Sequence, residues 1–380
     1  MKFLRFLLFF ALIIGLACLG LLVTGNQHIF KGFWAVYMHG HKSATIDDAR
    51  FFDTRPVSAD APKPISPQTV ENQVQLSSTL RKTLDSCQTV AFMVYKDGAP
   101  VYEEYWEGYS DTSHSNSFSM AKTVVTLLSQ IAIQQGHFKS WDDKVSTYLP
   151  ELEGAYRNEL SLRHLSQMSA GLQWNESYSN PFDITAKAYY GNRVEQLLLE
   201  EVPVVNKPGE HFEYQSGATQ LLALCLIRAT GSTLSDYLSE NLWTPLNATQ
   251  NAYWHLDRKE GTELAYCCLN SNARDFARFG LLLMNNGRWN EKQIIDADFI
   301  NEMCRPHLDK DYGMGIWVDY DDHVNPVYQM WGKDGQYVIA IPAKDLVIVK
   351  LSHKQLGKSH DRHTRDFHVI VDEVVKYFGV

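Results

Sequence analysis

The order in which strand and helix patterns follow one another along the chain constrains its fold most. Two strand patterns between residues 91 and 105 surround a Lys-Asp-Gly turn. Helix patterns dominate the middle of the chain, and strand patterns return over residues 315–351 before a last helix. This order predicts an α/β lobe with an antiparallel sheet built from both ends of the chain and flanked by helices, with an all-helical lobe inserted between them.

The predicted domain boundaries follow from these patterns. Residues 70–136 and 311–380 are expected to form the α/β lobe, and residues 137–310 the helical lobe. Residues 26–69 contain several prolines and few periodic apolar positions, so they are predicted to be a tether. A chain of 380 residues is long enough for more than one structural lobe.

The N-terminus, residues 1–25, is predicted to be a membrane anchor or a signal. Lys2 and Arg5 precede an uncharged apolar run over residues 6–23, which is about long enough to span a bilayer. The positive flank places the N-terminus in the cytoplasm. We expect an uncleaved anchor. A cleaved signal and a lipoprotein site at Cys18 are the alternatives, and each of the three exports the body of the protein to the periplasm or outside the cell.

Aromatic residues follow the apolar run at the end farthest from the positive flank. They are Phe30, Phe33, Trp34 and Tyr37. Aromatic side chains are enriched at membrane–water interfaces, because their rings are apolar and tolerate the headgroup region. The sequence therefore predicts an aromatic belt here, and a membrane as one partner of the chain.

Composition and missing motifs exclude several other classes. The net charge is −9 and no basic patch stands out, so no nucleic-acid partner is predicted. Histidines and lysines over residues 353–368 alternate with acidic residues and are interpreted as a solvated surface. Neither H-E-x-x-H nor C-x-x-C occurs, so no metal site or cofactor is predicted. The six cysteines are expected to be buried small hydrophobes, although export permits a disulfide.

The sequence Ser119-Met120-Ala121-Lys122 opens a long uncharged run that has a helical pattern. Residues three apart lie on one helix face, with their Cβ atoms roughly 5–6 Å apart, so the hydroxyl and the amine can meet. A serine hydroxyl needs a base to become a nucleophile. A lysine in a dry pocket has a lowered pKa and can be that base. A helix-capping serine beside a snorkelling lysine is the alternative interpretation.

Tyr214-Gln215-Ser216 stands just before an apolar helix pattern. A tyrosine at such a junction can point into a cleft, and its phenol can relay a proton if a cation such as Lys122 lowers its pKa. Ser216 would supply a second hydroxyl. A tyrosine that packs on the core with its hydroxyl at the surface is the alternative.

A glycine-flanked segment lies between two late strand patterns and provides the remaining candidates. It contains Trp331, Lys333, Gly335 and Gln336, which we expect to contact substrate. Its glycines allow the backbone to approach a ligand closely. The backbone N–H of Gln336, paired with that of Ser119, would stabilise an oxyanion. An ordinary hairpin turn is the alternative, since Lys-Asp-Gly is a good turn sequence.

Taken in order, S-x-x-K, Y-x-S and the glycine-flanked Lys-Asp-Gly resemble the motifs of the β-lactamase-related serine hydrolases. That family includes class C β-lactamases, DD-peptidases, esterases and 6-aminohexanoate-dimer hydrolases. Residues 131–150, 165–171 and 272–280 carry a likeness to the last of these. The resemblance covers roughly residues 75–375.

The resemblance implies a two-lobe fold with the active site between the lobes. It implies that Ser119 is the acylated nucleophile, that Lys122 and Tyr214 handle protons, and that Ser216 is a polar wall. Two departures, Y-x-S for Y-x-N and Asp334 for the threonine of K-T-G, argue against an efficient β-lactamase.

The predicted function is therefore that of an exported serine hydrolase that cleaves an ester or amide of a small molecule through an acyl-enzyme. The loop over residues 174–191 is expected to line its pocket with tyrosines. The alternative is a catalytically silent protein of the same fold that binds a peptide or a cell-wall fragment.

Overall fold

The structure of the protein, a computed structural model, describes residues 2–60, 74–320, 326–359 and 362–379. Within these ranges the α-helices are α1 (Lys2–Val23), α2 (His28–Ala35), α3 (Ser78–Ser86), α4 (Ala121–Gln134), α5 (Leu162–Ser166), α6 (Ile184–Tyr190), α7 (Val194–Glu201), α8 (Ser216–Thr230), α9 (Leu234–Leu238), α10 (Ala273–Met284), α11 (Ala297–Met303) and α12 (Arg365–Phe378). The strands are β1 (Thr54–Val57), β2 (Thr89–Lys96), β3 (Ala99–Tyr105), β4 (Ser115–Asn116), β5 (Ala252–His255), β6 (Leu269–Ser271), β7 (Arg288–Trp289), β8 (Lys292–Gln293), β9 (Trp317–Asp319), β10 (Val327–Gly332), β11 (Gln336–Ile341) and β12 (Leu346–Ser352).

The main sheet is antiparallel and joins the two ends of the globular body, in the order β3-β2-β12-β11-β10-β9. Both faces of its central strands are apolar and buried. Val349 lies opposite both Met93 and Val338 on one face, while Ile348 lies opposite Val94 on the other. Because side chains alternate along a strand, these two sets form separate hydrophobic clusters. The predicted antiparallel sheet built from both ends of the chain is confirmed.

Helices cover both faces of this sheet. On one face, α10 packs against β11 and β12, and Gly280 lies so close that an added Cβ would meet the side chains of Val338 and Val347. On the other face, α3 and α12 contact each other and bury Leu80 and Phe367 against the sheet. The fold is therefore the predicted mixture of an antiparallel sheet and flanking helices.

Helix α4 lies between the sheet and the remaining helices. Almost all of its residues are buried, and it packs against α8. The Thr123 hydroxyl also donates to the carbonyl of Gly315, just before β9, at 2.7 Å. One continuous hydrophobic cluster runs from the inner face of the sheet through α4 into the helices. The start of α4 is thus held rigidly at the junction of the two parts, whose boundaries stay a prediction.

Residues 26–57 differ from the predicted tether. Helix α2 packs against α6, and β1 pairs with β5 so that Thr54 lies opposite His255. Ile46, Phe52 and Val57 are buried in the main core. These apolar residues follow neither a helical nor a strand period, so the pattern did not reveal that they pack. Of the remaining predicted tether residues, 61–69 lie outside the described residues.

The middle of the chain also contains strands where only helices were predicted. β5 and β6 join β1 and β4 in a small four-stranded sheet. Its order is β1-β5-β6-β4, and β4 leads directly into the turn before α4. The strands are two to four residues long, which is too short for a recognisable alternation.

Helix α1 agrees with the expected N-terminal segment. It spans Lys2–Val23 and is long and apolar enough to cross a membrane, which a signal sequence would be as well. Its side chains are almost all exposed to solvent.

Candidate active site

Ser119 and Lys122 lie side by side at the start of α4. Ser119 is in a 3₁₀ turn, Phe118–Met120, that runs directly into the helix. The Lys122 ammonium group donates to the Ser119 hydroxyl oxygen at 2.9 Å, and also to the carbonyl of Tyr266 at 2.9 Å. The helical spacing of the motif therefore brings the two groups into contact, as the sequence predicts.

The turn that presents Ser119 is strained and externally supported. Phe118 has a φ of +45°, which is rare for a residue with a large side chain. Its backbone N–H donates to the side-chain oxygen of Asn116 at 2.9 Å, and Asn116 is paired in register with Asn270 of β6. Strained backbone of this kind persists where the surroundings enforce it, and it is concentrated at functional sites.

The amine of Lys122 is removed from water without an adjacent carboxylate. The side chain is 2% exposed. Among the described residues its hydrogen-bond partners are a hydroxyl and a carbonyl, both neutral. Burial lowers the pKa of Lys122 to about 8, although the charge of Glu176 works in the opposite direction. A fraction of the lysine is therefore neutral near pH 7 and able to accept a proton.

Tyr214 completes a group of three around the serine hydroxyl. Its phenol shares a hydrogen bond with Ser119, and the Lys122 Nζ lies 5.0 Å from the centre of its ring. Trp317 stacks on the Tyr214 ring at a centroid distance of 5.4 Å. Burial raises the pKa of Tyr214, whereas the hydrogen bond with Ser119 opposes that shift.

This electrostatic finding differs from the expectation that Lys122 lowers the pKa of Tyr214. Burial is the main cause of both shifts, and it favours the neutral forms of the Lys122 amine and the Tyr214 phenol. Tyr214 is therefore a protonated donor near neutral pH, and Lys122 is the better base.

Glu176 is a part of the site that the sequence analysis did not identify. Its carboxylate accepts hydrogen bonds from the backbone N–H and the hydroxyl of Ser216, each at 2.7 Å. It also accepts from the Trp174 indole at 2.7 Å and from the Tyr178 hydroxyl. Its place in the loop over residues 174–191 was the only signal, since no motif spacing links it to Ser216.

Lys333 reaches the same cleft from the end of β10. Its ammonium group forms an ion pair with Asp334 and donates to the carbonyl of Ala44 at 3.0 Å and to the Ser43 hydroxyl at 3.2 Å. It also lies 5.1 Å from the centre of the Phe118 ring. Asp334 therefore neutralises Lys333, and the amine is occupied by the N-terminal segment.

The other three residues of this segment do not line the cleft with their side chains. Trp331 packs against Trp317 at a centroid distance of 5.3 Å. An added Cβ on Gly335 would meet the Lys350 amine, and the Gln336 side-chain amide donates to the Ser352 carbonyl at 2.7 Å. The side chains of Trp331 and Gln336 and the backbone of Gly335 thus support the strands and do not form a wall of the cleft.

The backbone of this segment nevertheless closely approaches the turn that leads to Ser119. An added Cβ on Gly332 would collide with the carbonyl oxygen of Ser117, so only glycine fits there. Gly332 is paired with Gln336, the first residue of β11. The backbone of Gln336 therefore belongs to a strand pair that touches the turn of Ser119, and its role toward an oxyanion stays a prediction.

A cleft opens above Ser119. Its empty volume, which includes open solvent, is about 1160 Å³. Ser119, Ser216 and Lys333 line it, and Tyr266 forms part of its wall. Tyrosines of the 174–191 loop also line it, as the sequence predicts: Tyr178, Tyr189 and Tyr190. The sequence analysis missed a further wall, which comes from α2 and the residues that follow it, with α2 packed against α6.

Two adjacent cysteines form a disulfide beside the site, whereas buried free thiols were expected. Cys267 is bonded to Cys268, and Cys267 lines the cleft. The preceding residue, Tyr266, supplies the carbonyl that holds Lys122. Cys18, Cys87, Cys225 and Cys304 are free. The only signal in the sequence was the adjacency of the two cysteines, to which no role was assigned.

Comparison with known proteins identifies the family. A family model described as Beta-lactamase matches residues 76–372, which is most of the chain. The chain therefore belongs to the beta-lactamase family.

Individual relatives agree with this assignment. A 6-aminohexanoate-dimer hydrolase of Paenarthrobacter ureafaciens is 26% identical over 218 residues, 55% of this chain and 55% of that protein. The match thus spans about half the length of that curated relative.

Solved structures share the fold. One assigned as a 6-aminohexanoate-dimer hydrolase from Bacillus anthracis has a TM-score of 0.73 at 23% identity, covering 87% of this chain and 92% of that chain. The octameric penicillin-binding protein homologue from Pyrococcus abyssi has a TM-score of 0.61 at 16% identity, covering 79% of this chain and 76% of that one.

Proposed function

We propose that this chain hydrolyses an ester or amide through an acyl-enzyme on Ser119, with Lys122 as the general base and Tyr214 as a proton donor. The observation that carries this proposal is the 2.9 Å contact between the Lys122 amine and the Ser119 hydroxyl, in a site that lowers the pKa of Lys122 to about 8. A base needs both hydrogen-bond reach and a pKa near the working pH, and Lys122 has both.

In the proposed reaction, Lys122 accepts the proton of the Ser119 hydroxyl while the Ser119 Oγ attacks the substrate carbonyl. The tetrahedral oxyanion would be stabilised by the backbone N–H groups of Ser119 and Gln336. The proton then passes to the leaving alcohol or amine, through Tyr214, as the acyl-enzyme forms. Water attacks the acyl-enzyme with Lys122 again as the base, which releases the acid and restores the serine.

The pairing of Lys333 with Asp334 bears on the substrate. A free lysine at this position would attract a carboxylate, but this one is neutralised and already donates to Ala44. We infer that the substrate carries no carboxylate next to the scissile bond, which disfavours β-lactams. The same pairing leaves Ser119 and Lys122 intact, so it gives no support to a silent binding protein.

We further propose that α1 stays attached and anchors the chain, with the body on the outer side of the membrane. The apolar length of Lys2–Val23 and the positive charges of Lys2 and Arg5 at its N-terminal end support this orientation. The expected result is that the full chain stays in the membrane pellet after an alkaline carbonate wash. If the full-length chain is instead found cleaved after the N-terminal helix and released into the wash, the proposal is contradicted.

A fluorophosphonate probe tests the proposed nucleophile. The full chain in detergent is treated with the probe, digested and mapped by mass spectrometry. We expect one adduct, on Ser119, because the activated oxygen displaces fluoride from phosphorus. Labelling should be at least about a hundredfold slower in Lys122→Ala, since the base is lost.

Ser216→Ala is the matched control, because it removes another serine hydroxyl of the same cleft. It should retain the adduct on Ser119. A folded wild-type chain that gives no adduct, or one that is labelled equally fast in Lys122→Ala, would contradict the proposal.

A further inference from the structure

One wall of the cleft, beside the 174–191 loop, belongs to the segment that follows the apolar N-terminal helix. Ile29, Gly32, Phe33, Val36 and Tyr37 line it. They recur at spacings of three and four residues, so most of them share one face of α2. The part of the chain closest in sequence to the proposed anchor is thus also a wall of the active-site cleft.

This wall is attached firmly to the body. Gly32 lies against the ring of Tyr190 in α6, where an added Cβ would be 3.2 Å from the ring. His28 forms a hydrogen bond of 2.9 Å with the carbonyl of Pro181. The Lys31 amine lies 3.9 Å from the centre of the Phe52 ring. Three separate contacts therefore fix α2 over the cleft.

The other face of this segment is apolar and exposed. Phe30 is 39% exposed and Trp34 is 58% exposed, and neither lines the cleft. Phe33 and Tyr37 are also more than half exposed, yet they do line it, so they mark its mouth. Contiguous exposed aromatic residues of this kind mark sites that contact a membrane or another partner.

The chain length places this mouth next to the membrane. Helix α1 ends at Val23 and α2 begins at His28. The four residues between them span at most about 18 Å even when fully extended. If α1 crosses the bilayer, the exposed aromatic face of α2 must therefore lie at or near the bilayer surface.

We propose that the cleft takes its substrate from the membrane: an amphiphilic ester or amide whose long acyl chain enters past the rim formed by Phe33 and Tyr37 and reaches Ser119. This inference rests on the proposed serine hydrolase function. The carbonyl of such a substrate would lie at Ser119, and its chain would lie along the apolar wall of α2 and Tyr190. Phe30 and Trp34 would dip into the interface and hold the mouth there.

Two esters with the same leaving group test the proposal. The full chain is reconstituted in phosphatidylcholine vesicles that contain 4-methylumbelliferyl palmitate, and 4-methylumbelliferyl acetate is supplied in water. We expect Phe30→Ser/Trp34→Ser to lower the palmitate rate about tenfold or more, because two apolar side chains leave the interface. The acetate rate should stay within about twofold, because neither residue lines the cleft.

Tyr377→Ser is the matched control, since Tyr377 is 40% exposed on α12, which packs on the far face of the sheet. It should change neither rate. Loss of both rates in Phe30→Ser/Trp34→Ser, or an unchanged palmitate rate with acetate hydrolysis intact, would overturn the membrane inference alone. A wild-type chain that hydrolyses neither ester would overturn the proposed function and the inference with it.

A variant inside the cleft tests the position of the acyl chain. Ala186 lines the cleft on α6, one turn before Tyr190. Ala186→Phe should fill the path of the chain and lower the palmitate rate at least about tenfold relative to the acetate rate. An equal effect on both esters would show that the chain does not pass here and would overturn the proposed route.

Discussion

Two lysines in the described part of the chain are almost wholly buried, and their surroundings give them different properties. Lys122 is 2% exposed at the start of α4, and Lys350 is 0% exposed in β12. The Lys350 amine forms a 2.8 Å ion pair with Asp366, and neither side chain is exposed to solvent. The Lys122 amine instead donates to the Ser119 hydroxyl and a backbone carbonyl.

The partner, and not the burial, decides which lysine can react. Burial opposes ionisation of Asp366, but the charge of Lys350 and several hydrogen bonds hold the pKa of Asp366 below its usual value. That pair is therefore charged and structural. Lys122 has no such carboxylate, so burial lowers its pKa to about 8. The comparison teaches that burial beside neutral partners lowers the pKa of a lysine, as the proposed role of Lys122 as a base requires.

The largest expected effect is on activity, in Lys122→Met. The variant keeps the length and apolar stem of the side chain but removes the base, so kcat/KM for a short ester should fall about 10³-fold or more. Lys350→Met is the control for loss of a buried amine, and its folded fraction should keep a kcat/KM close to that of wild type. Steady-state kinetics on the full chain in detergent measures both. A Lys122→Met variant with near wild-type kcat/KM would remove Lys122 from the mechanism.

The stabilities of these two variants should change in opposite directions. Lys350→Met leaves Asp366 buried and unpaired, so the free energy of unfolding should fall by about 3–5 kcal/mol. Replacing both members, in Lys350→Met/Asp366→Leu, should recover most of that loss. Denaturant unfolding measures each value. A double variant no more stable than the single one would show that the pair does more than satisfy its own charges.

Lys122→Met should instead gain stability near pH 7. The pKa of Lys122 falls from its ordinary value of 10.5 to about 8 on folding, so the unfolded chain binds more protons between these pH values. Stability of the wild type should therefore rise with pH across that window. Because the variant has no charge to bury, it should be up to about 3 kcal/mol more stable at pH 7. Equal stability in both proteins, at every pH, would contradict a buried lysine with a lowered pKa.

The pH dependence of activity sharpens the role of the surrounding charges. If neutral Lys122 is the base, kcat/KM should rise with pH and level off above about pH 8. Glu176 raises the pKa of Lys122, so Glu176→Gln should move this acidic limb to lower pH by less than about one unit. Ser216→Ala keeps the charge and removes one hydrogen bond to Glu176, so it should leave the midpoint unchanged. A midpoint that does not move in Glu176→Gln would assign the limb to another group.

The sequence was sufficient where residues close in the chain determine the outcome. The helical spacing of Ser119 and Lys122 predicted their contact, and the alternation over residues 315–351 predicted the late strands that confirm the sheet. The family assignment, which rested on motifs in order, is also confirmed. Tyr214 was predicted to lie beside them, but the direction of its pKa shift depends on burial, which a motif does not report.

The sequence was insufficient where the site is built from distant, aperiodic segments. Glu176 and Ser216 meet from positions forty residues apart, with no spacing rule that links them. Residues 26–69 were interpreted as a tether because they contain several prolines and few periodic apolar positions, although α2 and the residues after it form a wall of the cleft and β1 pairs with β5. Trp331 and Gly335 belong to the predicted motif, but Trp331 packs against Trp317 and Gly335 lies against the Lys350 amine.

The smallest expected effect is on kcat/KM, and it concerns the contacts that hold each lysine in place. Lys350 lies in a regular strand, whereas Lys122 depends on the Tyr266 carbonyl, directly before the Cys267–Cys268 disulfide. Reduction would loosen this carbonyl, and the loss of one hydrogen bond corresponds to about a fivefold fall in kcat/KM. A disulfide between adjacent residues closes almost no loop, so the melting temperature should change little.

Treatment of the full chain with a phosphine reductant, followed by intact mass measurement and kinetics, checks this prediction. The reduced chain should gain the mass of two hydrogens and show the fall in kcat/KM. Cys267→Ser/Cys268→Ser should start at the lower value and should not respond to the reductant. An unchanged kcat/KM after complete reduction would show that Lys122, like Lys350, is held firmly by the fold around it and does not depend on this bond.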